Sequence, residues 1–132
     1  MTAPTDDPPV RLVLDLSALR AYTAGSVHVG EPIHEVTQSG VRFGVPVAVA
    51  YEALATTSGK ELALLYRLLR LGACAVLPAL PEDLAELTYW RRLTGRPDLA
   101  EAAVAAFVCD ASVLSSEGGR YGPDVPVIYF PA

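Results

Sequence analysis

Four short apolar runs punctuate the chain: RLVLD from Arg11, ACAVLPAL from Ala73, ASVLS from Ala111 and VPVIYF from Val125. Each is too short for a helix and lacks the alternation of a half-solvated strand. RLVLD suits a central parallel strand buried on both faces, ACAVLPAL is a second buried-strand candidate, and ASVLS and VPVIYF are a third and a fourth strand. Val41–Val45 offers a further extended segment just before Pro46. Helical patterns lie between these runs. Ser17 can cap a helix that Gly25 ends, and a second spans His28 to Ser39 with Gly40 beyond it. Pro46 suits the first turn of a helix through VAVAYEALATT. In KELALLYRLLRLG, Leu62, Leu65, Leu68 and Leu69 share one face. PEDLAELTYWRRLTG has acids in its first turn and arginines in its last, as the helix dipole favours. RPDLAEAAVAAFVCD is an Ala-rich helix opened by Pro97. There is no internal repeat and no linker long enough to divide domains. The pattern predicts an α/β fold, a three-layer α/β/α domain around a central, mainly parallel sheet of four to five strands, covering residues 11–132 after a loose tail of residues 1–10.

Composition narrows the function classes. With 132 residues, 52% of them hydrophobic, a single packed domain is expected. The net charge of −5, with Lys60 the only lysine, supplies no broad basic face for nucleic acid, although arginines suit local bidentate contacts. No apolar run is long enough to span a membrane. MTAPTDDPPV reads as neither a signal peptide nor an anchor, so a cytoplasmic location is expected. Cys74 and Cys109 lack zinc-ligand spacing and read as two reduced, buried thiols, a disulfide staying open if their strands adjoin. His28 and His34, six residues apart, share no helical face.

The acids carry the chemistry. Ligands of parallel α/β sheets bind beyond the carboxyl ends of the strands. Asp15 ends the first apolar run. Glu117 closely follows the third, in VLSSEGGRYGP. Glu52 interrupts an apolar helix. Asp98 opens the Ala-rich helix, and Glu101 follows one turn later. Acids gathered in one crevice repel unless a cation joins them. Oxygen ligands without Cys or His suit Mg²⁺ or Mn²⁺, which can generate hydroxide and stabilise charge on a phosphodiester. Each acid also has a plainer reading: Asp15 as a helix cap, Asp98 as a helix-start residue, Glu52 snorkelling from an amphipathic helix or paired with an arginine, Glu101 as a solvated face residue, Glu117 in a turn. Tyr89 and Trp90, beside Arg91 and Arg92, read as core or plain surface, with a partner or RNA contact as the alternative.

The order of these segments resembles the PIN domain family. RLVLDLSALRAY is similar to its opening strand, Asp and small-residue helix start. VPVAVAYEAL is similar to its second segment, with a Glu on a helix. PDLAEAAVAAFVCDASVLSSEGGRYG is similar to its closing segment, Ser115-Ser116-Glu117 falling where Thr-x-Asp stands and Arg120-Tyr121 matching the end. The resemblance implies a Mg²⁺- or Mn²⁺-dependent endoribonuclease, with many small bacterial members acting as VapC-type toxins. It implies Asp15, Glu52 and Asp98 as metal ligands, Glu117 as the fourth acid and Ser115 as its support. Glu101 competes with Asp98 for the third place, because Asp98 lies about one residue off the family spacing. The implied partners are an RNA substrate and an antitoxin protein, with a homodimer open. The alternative is a non-catalytic PIN-like protein-interaction module with a degenerate acidic site, suggested by Glu117 in place of Asp, the uncertain third acid and the negative net charge.

Overall fold

The structure is a computed structural model describing residues 7–132. Five strands form one all-parallel sheet in the order β3-β2-β1-β4-β5: β1 Val10–Leu14, β2 Arg42–Pro46, β3 Cys74–Leu77, β4 Ser112–Ser115 and β5 Val127–Tyr129. Six helices connect them: α1 Leu16–Thr23, α2 Val27–Gln38, α3 Val47–Thr56, α4 Gly59–Leu69, α5 Leu84–Thr94 and α6 Pro97–Cys109. The expected three-layer α/β/α architecture is the observed one.

Strand alternation divides the core into two. Leu12 and Leu14 of β1, with Phe43 and Val45 of β2, pack against α1, α2, α3 and α4 through Leu19, Ile33, Val49 and Leu65. Val13 and Val113 face the opposite side and pack against α5 and α6 through Trp90, Leu99 and Ala103. Both faces of β1 are therefore apolar, which is why RLVLD shows no alternation. Gly44 leaves room for its neighbours at the middle of β2, where a side chain would have to displace the end of Leu77. A Cβ there would stand 2.7 Å from Leu77 Cδ1 and 3.0 Å from Val10 Cγ1, both side-chain atoms that pack over the glycine.

Several boundaries shift from the expected ones. Asp15, not Ser17, caps α1. Pro46 closes β2 and stands as the residue before α3 rather than inside it. Pro81 opens a 3-10 turn, Pro81–Asp83, that leads into α5. Of the expected tail, residues 1–6 lie outside the described residues. Residues 8–10 are held: Arg42 Nε donates to the Pro8 carbonyl at 2.7 Å, the Arg42 backbone N–H to that of Pro9 at 2.9 Å, and Val10 opens β1. The two thiols are free and half-buried; burial pushes that of Cys74 up to about 11. Trp90 is buried against Phe107, while Tyr89 stands edge-on to it and is exposed. No helix among the described residues is long and apolar enough to cross a membrane.

The strand order reverses direction between β1 and β4. That is the switch point at which a crevice opens beyond the carboxyl ends of a doubly wound sheet. The pairing of Leu14 with Leu114 places Asp15 and Ser115 side by side at its lip.

One backbone feature yields a stability prediction. Asp110, at the end of α6, has φ +54°, the left-handed conformation that L-residues disfavour and glycine tolerates. Arg11 reaches the Asp110 carbonyl at 3.3 Å, a bond that survives loss of the side chain, whereas its 3.8 Å ion pair to Asp110 Oδ2 is fully exposed on the acid's side and worth little. Asp110→Gly is expected to stabilise the fold by about 0.5–1 kcal/mol, read as a higher urea midpoint at unchanged slope.

Candidate functional site

Asp15 has no solvent exposure. A buried carboxylate requires donors, and the local chain supplies them. As N-cap of α1 its Oδ1 accepts from the Ala18 backbone N–H at 3.0 Å and from Ser17 Oγ at 2.6 Å. Its Oδ2 accepts from the Tyr121 hydroxyl at 2.8 Å. Ser17 extends the network, its Oγ accepting from the Ser116 N–H at 3.0 Å. Ser115 is also fully buried; its Oγ accepts from the Glu117 N–H at 2.9 Å and lies 3.5 Å from Ser17 Oγ. Because the Ser17 hydroxyl proton already goes to Asp15, the Ser115 hydroxyl is the one free to donate across that gap.

Asp98 and Glu117 enter the same crevice, joined by a residue that the sequence reading passed over. Arg96 donates to both. Its Nε and Nη2 meet the two Asp98 oxygens at 3.1 and 2.9 Å; its Nη1 and Nη2 meet the two Glu117 oxygens at 2.9 and 2.7 Å. The Asp98 side chain is 15% exposed, Glu117 29% and Arg96 36%. Two bidentate forks on one guanidinium are the strong geometry for such pairs, and the hydrogen bonds to Asp98 and then Glu117 raise the already high Arg96 pKa. A signal for this was present in GRPD. Arg96 is the N-cap of α6, where the helix dipole disfavours a cation, so the arginine needs acids nearby.

Tyr121 marks the convergence. Burial raises its pKa first, and the charge of Asp15, its hydrogen bond to Asp15, and the charges of Asp98 and Glu117 push the same way. Asp15, Asp98, Glu117 and Ser115 thus gather at the switch point. Among the described residues, Glu52 and Glu101 share no hydrogen bond or ion pair with them. Glu52 lies on the exposed face of α3. Glu101 turns toward the start of α3, where the Ala48 backbone N–H offsets part of the burial that raises its pKa. One oxygen, Oε2, is closed off from solvent with no hydrogen-bond partner.

As arranged, these side chains do not fit a divalent cation. Both Asp15 oxygens already accept hydrogen bonds, and Arg96 holds all four oxygens of Asp98 and Glu117. Among the described residues, no three Asp, Glu, His or Cys side chains form a group that could hold a metal. No known family model matches this sequence, and no curated protein matches it.

Tyr121→Phe removes the donor to Asp15 Oδ2 and is expected to cost about 1–3 kcal/mol. The raised folded pKa of Tyr121 means that its contribution is complete below its ordinary value of 10.0 and is lost as pH rises above it. Urea midpoints from pH 8 upward should fall at the alkaline end in the native chain and fall less in the variant. Glu101 likewise has a raised folded pKa, so its contribution is complete below its ordinary 4.5 and is lost as pH rises. Glu101→Gln should therefore be more stable than the native chain at neutral pH, with the two curves converging in acid.

Proposed function

We propose that this chain is a PIN-like protein-interaction module whose acidic crevice is held shut by its own arginine. The observation that carries this reading is the Arg96 double fork: the place between Asp98 and Glu117 where a cation would sit already contains one. The outer surface supports an interaction role. Leu84 and Val108 are each 68% exposed, and Tyr89, Leu93 and Phe107 on the same two helices, α5 and α6, are more than half exposed. Large apolar side chains clustered on one helix pair are a common sign of a protein-binding surface.

A second reading, the Mg²⁺- or Mn²⁺-dependent endoribonuclease of a toxin–antitoxin pair, is favoured by the convergence of Asp15, Asp98 and Glu117 around Tyr121. It requires Arg96 to leave both acids.

Calorimetric titration with Mn²⁺, beside an assay of RNA cleavage, separates the two. On the interaction reading the native chain binds no Mn²⁺ in the crevice and shows no Mn²⁺-dependent cleavage. Cleavage that needs Mn²⁺ and disappears in Asp15→Asn would overturn it in favour of the nuclease.

A further inference from the structure

We infer that this chain pairs with a second copy of itself through the outer face of α5, the two helices lying antiparallel across a two-fold axis. The inference rests on the interaction reading above and names the partner. α5 buries one side only, through Trp90 and Thr94. On its other side Ala85, Thr88, Tyr89, Arg92 and Leu93 are exposed and border one shallow concavity. The Thr88 hydroxyl donates to the Leu84 carbonyl at 2.8 Å, so the centre of this face is mostly hydrocarbon.

Apolar exposure alone does not choose an occupant; the order of charge along the helix does. Glu82 and Glu86 are exposed at its start, Arg91 and Arg92 at its end. None of the four forms an ion pair among the described residues. Glu82 and Arg92 are separated by about 15 Å along the helix. An antiparallel copy whose axis passes level with residue 87 sets Glu82 against the copy's Arg92, and symmetry repeats the pair at the other end. In the same register the bulky Tyr89 lies over the copy's small Ala85, and Leu93 over its Pro81. Charged pairs then rim an apolar centre, the usual anatomy of a protein interface. A parallel copy would oppose Glu82 to Glu82 and Arg92 to Arg92. A partner of a single charge would be repelled at one end of α5. The contact is one helix wide, which makes the dimer a weak one.

Sedimentation equilibrium of the full chain from about 10 μM to about 1 mM tests this, the range of a weak interface. The native chain should show a monomer–dimer equilibrium that weakens as salt is added. Arg92→Glu and Glu82→Arg should each raise the dissociation constant at least roughly tenfold, because each sets like charges together twice across the axis. Mixed in equal amounts, the two variants should pair again near the native affinity, since every acid of one chain then meets an arginine of the other. That rescue also shows that both variants fold. A native chain that stays monomeric throughout, undiminished pairing of either single variant, or no pairing on mixing would each overturn the proposal. A monomeric native chain leaves the interaction reading standing, which the Mn²⁺ and RNA assays decide by themselves.

Discussion

A carboxylate with no access to water must be met by donors, and the crevice end of this fold is organised around that requirement at Asp15. Its partners come from the first turn of α1 and from Tyr121, 106 residues further along the chain. The strand end, the helix start and the turn after β4 are thereby fixed to one another. Ser17 serves both sides, donating to Asp15 and accepting from the Ser116 N–H. Removing one partner of a buried charged group leaves the other unmet, which costs more than the bond itself contributes. The opening of the chain and its closing segment are therefore coupled at this point beyond the pairing of β1 with β4.

The two remaining crevice acids face a different problem, since they repel each other and Asp15. A divalent ion is one solution to such repulsion; a guanidinium is another. Arg96 meets four carboxylate oxygens with three nitrogens in a planar fork that an ammonium could not reproduce. Its position at the start of α6 is unfavourable for the helix dipole and favourable for the crevice, so the acids outweigh the dipole there. Glu117 is well suited to this pairing. Its longer arm reaches across to an arginine 21 residues earlier, and the same extra methylene loosens any tight oxygen site for a small cation.

Much of the fold was legible because its signals are local. RLVLD, ACAVLPAL, ASVLS and VPVIYF each contain a strand, and the alternation with helices led to a parallel sheet. β1 and β4 are buried as their runs suggested. β3 and β5 are the sheet edges, where Val76, Ile128 and Tyr129 are exposed, so the buried strand expected in ACAVLPAL is a half-exposed one. Three boundaries were less legible. Asp15 and Ser17 are both good caps, and only the buried position of Asp15 decides between them. Pro46 and Pro81 are both acceptable helix starters, yet one ends a strand and the other opens a 3-10 turn. The site was half legible. Asp15 and Glu117 were placed at the crevice by strand-end position, Asp98 by its place in the first turn of a helix, and Ser115 only by the family resemblance. Glu52 was not separable from them, because VPVAVAYEAL is apolar nearly all round and its periodicity does not say which face is outward. Arg96 was missed because its partner Glu117 is distant in sequence, and pairing at that range leaves no periodic trace.

Asp98 and Glu101 show most clearly how position, not residue type, sets the chemistry. They lie one turn apart on the same helix. Asp98 faces the crevice and receives a full guanidinium fork. Glu101 faces the start of α3 and receives help from a single backbone N–H, with one oxygen left unmet. Three acids in the crevice are drawn into closed hydrogen-bond networks, while this fourth sits half-buried among aliphatic walls. The least compensated of these four carboxylates therefore lies outside the crevice, where an oxygen closed off from water without a donor is a cost to the fold that the crevice acids do not carry.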